Sequence, residues 1–288
     1  QLRPLKVVVN AGNGCAGPVI DLIEEFLPFE FIKLNHDPDG TFPNGIPNPL
    51  LTENRTVTSD AVVEVGADLG IAWDGDFDRC FFFDENGQFI DNYYLLGMIS
   101  KVFLELHQGA NIIHDPRLIW NTREEVQSYA GNPIQSKAGH SFIKETMRKH
   151  TAIYGGEMSG HHYFRDFYFS DSGMIPWLLV AEIMSQANQP LSELVSKRMQ
   201  QYPISGEINI EVYQPEKLLE GIKSHYQNQS VSVDDIDGYS FDFESWRFNL
   251  RMSNTEPLVR LNVETRADKK LLNTKTDEIL NLIATLQE

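Results

Sequence analysis

The feature that most constrains the fold is a rhythm of short apolar runs set between helical stretches. Residues 5–9 read as a buried strand, and a Gly-rich turn over residues 10–17 follows. Pro18 suits the first position of a helix over residues 19–26. Residues 29–34 read as a strand, 37–49 as a loop dense in Pro, Gly, Asn and Asp, 58–65 as a helix, and 69–73 and 80–83 as further strands. Strands alternating with helices demand α/β layering, because each apolar strand face needs a helix to cover it.

The rhythm restarts with a strand at 111–114, helices at 123–129 and 142–149, a turn at Gly155-Gly156, and helices at 175–186 and 192–199. Polar residues and Gly interrupt it at 107–109 and again at 202–206. Beyond the second break the order changes. A helix over 215–226 precedes strands near Val231 and at 239–243, 246–250 and 259–263, and a helix over 269–286 ends the chain. That is α+β and reads as a separate small domain. No internal repeat is visible as a motif.

Two or three domains fit 288 residues, and 41% hydrophobic residues can build real cores. The formal net charge of -17 shows no basic face, which argues against a nucleic-acid partner. An anionic ligand must then be met by a few arginines gathered locally. Two cysteines, Cys15 and Cys80, make neither a disulfide framework nor a zinc set and suit a reducing, cytoplasmic setting. No apolar run reaches the roughly 20 residues of a membrane span, so no membrane partner is expected. The first residue is Gln1, which suggests a cut end.

The sharpest local feature is Asp74-Gly75-Asp76-Phe77-Asp78-Arg79. Carboxylates at alternate positions can converge on one hard cation such as Mg²⁺ if the chain curls around it, with Arg79 beside it for a phosphate oxygen. A calcium loop would also use Asp74, Asp76, Asp78 and Glu85, but needs Gly where Arg79 stands and helices where strands are expected. A solvated acidic turn is the remaining alternative. Gly12, Gly14 and Gly17 match a dinucleotide fingerprint, yet the acidic residue expected at the end of the second strand is replaced by Leu34-Asn35-His36. A structural strand–helix turn is favoured there.

Two further loops carry chemistry. In Gly155-Gly156-Glu157-Met158-Ser159-Gly160-His161-His162, Glu157 and Ser159 suit sugar hydroxyls, and His161 suits proton transfer. In Arg251-Met252-Ser253-Asn254-Thr255-Glu256-Pro257, a guanidinium, two hydroxyls, an amide and backbone N–H groups can cradle a phosphate, with Arg260 close downstream. Each loop alone could also be an ordinary polar turn.

Together, and in this order, the three loops resemble the α-D-phosphohexomutase superfamily, with its D-G-D-x-D-R, G-E-M-S-G-H and R-x-S-N-T-E-P loops. Ile113-His114-Asp115-Pro116-Arg117, Lys137-Ala138-Gly139-His140 and His161-His162-Tyr163-Phe164-Arg165-Asp166 are similar to the bacterial phosphomannomutases that feed GDP-mannose synthesis. The resemblance covers essentially the whole chain. It implies two similar mixed-sheet α/β domains, residues 1–106 and 107–203, then a smaller α+β domain, residues 204–288.

The resemblance also implies roles. Asp74, Asp76 and Asp78 would hold Mg²⁺, with Arg79 at the reacting phosphate and His161 as general base. Arg117, His140, Glu157 and Ser159 would bind the sugar, and Arg251, Ser253, Asn254, Thr255 and Arg260 would clamp the distal phosphate. The implied reaction interconverts mannose 6-phosphate and mannose 1-phosphate through a phosphoserine and a hexose 1,6-bisphosphate. The family's serine loop, T-A-S-H-N-P-like, does not occur in these residues, and Ser141 does not match it. The first domain is therefore expected to be absent and the chain inactive alone. Glucose preference, or a phosphosugar-binding protein without catalysis, stays open. Phe77 departs from the Gly of many members, and Arg117 stands where many have Lys.

Overall fold

The computed structural model describes residues 2–253 and 257–287. The first unit runs β1 (Lys6–Asn10), α1 (Ala16–Ile23), β2 (Glu30–Leu34), α2 (Thr56–Val65), β3 (Leu69–Trp73), β4 (Cys80–Phe83) and β5 (Phe89–Ile90). Its sheet order is β2-β1-β3-β4-β5. β1 pairs parallel with β2 and β3, while β4 and β5 add antiparallel. β3 and β4 are buried along their whole length, which is why they read as continuous apolar runs. Val62 of α2 packs with Val8, Ala72 and Phe83 on one face, and Ile20 of α1 joins the main core on the other. Burying each such side chain contributes about 1.5–3 kcal/mol. α1 begins at Ala16, so Pro18 is its third residue and not its first. First-turn N–H groups have no acceptor within the helix, and proline is tolerated there.

A helix absent from the sequence-based expectations follows. In α3 (Asn92–Leu106), the Asp91 carboxylate caps the first turn by accepting the Tyr93 N–H at 2.9 Å. The second unit then runs β6 (Asn111–His114), α4 (Trp120–Ser128), β7 (Asn132–Gln135), α5 (His140–His150), β8 (Tyr154–Gly156), β9 (His162–Phe164), β10 (Ser170–Asp171), α6 (Met174–Ala187) and α7 (Leu191–Gln201). Its sheet order, read from β7, is β7-β6-β8-β9-β10, with the parallel and antiparallel pairs falling as in the first sheet. The two units therefore repeat one topology without repeating a motif. Gly155 and Gly156, expected as a turn, lie in β8. There a Cβ on Gly156 would come within 2.8 Å of the Leu96 side chain on α3, so glycine serves close packing.

The last unit contains β11 (Ile208–Glu211), α8 (Pro215–Tyr226), β12 (Ser232–Asp234), β13 (Tyr239–Asp242), β14 (Trp246–Met252), β15 (Leu258–Thr265) and α9 (Lys269–Gln287). Its strands form an antiparallel sheet in the order β11-β15-β14-β13-β12. It owns a separate core, whereas the main core of the first two units is continuous from Leu5 to Tyr202. Among the described residues no helix is long and apolar enough to cross a membrane.

Candidate active site

The shared topology puts two loops in equivalent places. Residues 74–79 join β3 to β4, and residues 157–161 join β8 to β9. The loops meet: Arg79 and His161 form an antiparallel bridge, and the Cys80 N–H donates to the Gly160 carbonyl at 3.0 Å. Each loop opens on a buried carboxylate and closes on a basic side chain that pairs with it. The Asp74 carboxylate accepts from Arg79 Nε at 2.5 Å, and Glu157 Oε2 lies 3.4 Å from His161 Nδ1.

The Gly-rich turn after β1 supports the first loop. Cys15 N–H donates to the Gly75 carbonyl at 2.9 Å, and a Cβ on Gly14 would fall 2.5 Å from that oxygen. The glycines are used for contact with Gly75 and Pro47. Carboxylate oxygens of Asp74, Asp76 and Asp78 lie within 4.8 Å of one another. Burial raises the Asp74 pKa, with Arg79 opposing. For Asp78, burial is outweighed by His161, and its pKa is lowered. Between them Phe77 takes a left-handed φ of 51°, a conformation that glycine holds more easily. These are hard oxygen donors of the kind that hold a small divalent cation. A second group, Asp78, His140, His161 and Asp171, is equally tight and shares Asp78 with the first.

The two imidazoles touch, His140 Nε2 to His161 Nε2 at 3.0 Å, and the Asp171 carboxylate lies 2.8 Å from His140 Nδ1 and 2.7 Å from Lys144 Nζ as an ion-pair partner. Burial alone would lower the His161 pKa, but Asp78 and Glu157 outweigh it and push it up to about 9. His161 thus carries a proton at neutral pH in this arrangement. Glu157 is 2% exposed and accepts from Gly139 N–H at 2.9 Å and the Tyr163 hydroxyl at 2.6 Å. Burial is again outweighed, here by His161 and Arg117, and its pKa is held near about 2. Ser159 Oγ lies 3.0 Å from His161 Nδ1.

Arg117 follows β6. It donates to Asp115 at 2.6 Å and reaches Glu157 at 3.8 Å and Glu207 at 3.4 Å. Arg251 on β14 stands directly opposite Arg260 on β15. The Ser253 N–H donates to the Leu258 carbonyl at 2.9 Å. Asn254 and Thr255 lie outside the described residues. A cavity of about 530 Å³ is lined by Arg117, Ser159, Glu207 and Arg260 together with Arg55 of the first unit and Asp91, the cap of α3. Asp115, Tyr163, Lys144, Asp171 and Glu207 belong to this constellation and were not singled out as site residues from sequence. Asp115 and Tyr163 had a local signal, standing within the stretches 113–117 and 161–166 that carry the resemblance; Lys144, Asp171 and Glu207 had none.

Comparison with known proteins agrees with the three-unit fold. The phosphoglucomutase/phosphomannomutase models match in register: alpha/beta/alpha domain II over residues 1–87, alpha/beta/alpha domain III over 91–202, and the C-terminal domain over 207–282. The chain belongs to the phosphoglucomutase/phosphomannomutase family. It is 59% identical over 282 residues to the phosphohexose mutases of Xanthomonas campestris pv. campestris, which covers 98% of this chain and 63% of the relative. It is also 59% identical over 288 residues to the phosphomannomutase of Salmonella montevideo, with the same coverage. The family fold is matched by the crystal structure of a phosphoglucomutase/phosphomannomutase family protein from Burkholderia thailandensis, at a TM-score of 0.88 and 31% identity, over 99% of this chain and 62% of that one. The chain thus spans about 63% of the length of these curated relatives.

Proposed function

We propose that this chain is the metal-, sugar- and phosphate-binding part of a phosphomannomutase that interconverts mannose 6-phosphate and mannose 1-phosphate through a phosphoserine and a hexose 1,6-bisphosphate. One observation supports it above the others. An unbroken series of polar contacts runs from the acidic loop through His161 and Glu157 to Arg117, and on to the Arg251–Arg260 pair. Three units thereby contribute to one cleft. A phosphosugar needs one group of residues at each phosphate and another between them for the sugar.

Asp74, Asp76 and Asp78 would hold Mg²⁺, and their hard oxygens fit it. When bound, that ion supplies positive charge against the oxygens of the transferring phosphoryl group. The remaining work falls to the chain's own side chains. Arg79, held by Asp74, directs a guanidinium at the same phosphate. His161 is the candidate acid and base: its protonated form can give a proton to the sugar oxygen, and the neutral imidazole that results can take one back from the sugar hydroxyl. Glu157 is occupied by Tyr163, Gly139 and His161, so it sets the shape of the sugar loop and leaves Ser159 at the cavity wall. Arg117, Arg251 and Arg260 clamp the phosphate that does not react. Positioning and charge stabilisation of this kind provide most of the catalysis of phosphoryl transfer.

The test is chemical-shift mapping with mannose 1-phosphate against free mannose. Shifts should centre on Arg251 and Ser253 for the phosphorylated sugar alone. Arg251→Ala should lose a charge-assisted contact of about 1.5–3 kcal/mol. The same pattern with free mannose, or an unchanged response in Arg251→Ala, would show the assignment to be wrong.

A further inference from the structure

Three guanidinium groups from different elements surround one carboxylate. Glu207, the residue before β11, places Oε2 3.4 Å from Arg117 Nη1 and 3.5 Å from Arg251 Nη2, and Oε1 3.6 Å from Arg260 Nη1. All three separations exceed the roughly 2.7–2.9 Å of a well-made charged hydrogen bond. The carboxylate neutralises the cluster without fitting it. Arg117 and Arg251 are 4% and 7% exposed, and the buried Nε of each has no hydrogen-bond partner among the described residues. Orphaned buried donors of this kind are uncommon and need a reason. A phosphate supplies one, since it brings more oxygens and more charge than a carboxylate can.

The cluster cannot stand empty at no cost. Guanidinium groups this close and this dry repel one another strongly. Burial, followed by repulsion from Arg117, lowers the Arg251 pKa. Glu207 answers that repulsion from inside the protein, and it also lines the cavity through which a ligand would arrive.

We infer that Glu207 is the resident counter-ion of the arginine cluster, a carboxylate that occupies it while the cleft is empty and yields it to a phosphate dianion. This rests on the reading above that the cluster binds the sugar phosphate. It adds a consequence for turnover. A bisphosphate that must leave the clamp by one end and return by the other needs a clamp that can let go. Glu207 supplies the anion that takes the place of the departing phosphate, so release does not leave the mutual repulsion of the buried Arg117 and Arg251 unanswered on the cavity side. It therefore lowers affinity and speeds exchange.

The experiment compares the chain with Glu207→Gln, which keeps shape and hydrogen-bonding capacity but removes the charge. Mannose 1-phosphate and inorganic phosphate are titrated by calorimetry, and dissociation rates are taken from NMR exchange. Glu207→Gln should bind both probes on the order of tenfold more tightly, the change made by one charge interaction of ordinary strength, and release them more slowly. A purely structural glutamate would instead weaken binding when changed. Circular dichroism checks the fold. If Glu207→Gln does not fold, Glu207→Asp, whose carboxylate is one methylene too short to reach all three arginines, should shift affinity the same way by less. Phosphate binding by the parent chain with equal or weaker binding by the variant overturns the counter-ion role and leaves the phosphosugar reading standing. No binding by either protein overturns both.

Discussion

His114 and His162 are imidazoles that this fold keeps neutral. His114 is 1% exposed; its Nδ1 donates to the Asp115 carbonyl at 2.7 Å, and its Nε2 has no partner among the described residues. Burial, reinforced by Arg123 and Arg247 against Asp115, lowers its pKa to about 4. His162 sits between the Tyr154 hydroxyl and the Asn92 side chain, and burial plus neighbouring His161, against Glu157, lowers its pKa to about 3. A depressed folded-state pKa contributes stability that is complete above about pH 6.5 and is lost as pH falls, because the unfolded chain takes up protons first. Each imidazole should cost about 2 kcal/mol by pH 5. Asp91 titrates the other way, since burial pushes its pKa up to about 6, so the check is a difference between two proteins. His114→Asn preserves a donor for the Asp115 carbonyl. Urea unfolding at pH 7 and pH 5 should show its acid-induced loss smaller by about 2 kcal/mol; identical losses in both proteins would remove His114 from the account.

At the scale of elements, the Gly-rich turn and the acidic loop are one structural object. Gly14 lies against Gly75, and a methyl group there would sit 2.5 Å from its carbonyl oxygen. Gly14→Ala must displace the loop that carries Asp74, Asp76 and Asp78. Overpacking of this sort costs about 1–3 kcal/mol. Thermal unfolding should show that loss, and Mn²⁺ relaxation titration should show weaker binding than in the parent chain. A variant that is destabilised but binds Mn²⁺ unchanged would separate the turn from the loop. The same elements show what was legible beforehand. Each motif loop is local, so its residues announce themselves by spacing, and the strands of the first sheet follow from apolar runs such as Cys80–Phe83. α3 did not announce itself, because Asn92–Leu106 is buried on most sides and lacks a polar stripe. Its one signal was Asp91 as the capping residue. Glu207 was invisible for another reason. It lies 90 residues from Arg117, and only the folded chain brings them together.

The whole molecule is tied at Glu264. This carboxylate is fully buried on β15 and accepts from Arg247 on β14 at 2.8 Å, from the Ile119 N–H at 2.8 Å, from the Trp120 N–H at 3.3 Å and from the Tyr93 hydroxyl on α3. Arg247 in turn donates to the carbonyls of Pro116 and Arg117, at 3.1 and 2.9 Å. One ion pair therefore joins the last unit to α3 and to the backbone of the loop that carries Arg117. The last unit has its own core, so its attachment to the others depends heavily on such polar joints. Removing one member of a buried pair leaves the other charge uncompensated, at about 3–5 kcal/mol. Glu264→Gln should lose stability on that scale. In differential scanning calorimetry the last unit should unfold ahead of the rest, as a separate transition. Mannose 1-phosphate binding should weaken as well, because Arg117 loses its fixed place relative to Arg251 and Arg260. Arg247→Met combined with Glu264→Leu removes both charges together, but it leaves the Ile119 and Trp120 N–H groups, the Tyr93 hydroxyl and the Pro116 and Arg117 carbonyls without these partners, so it should regain only part of the stability and should not restore that alignment. If Glu264→Gln unfolded in a single transition within about 1 kcal/mol of the parent, well short of the loss expected for a broken buried pair, the joint would have to lie elsewhere in the interface.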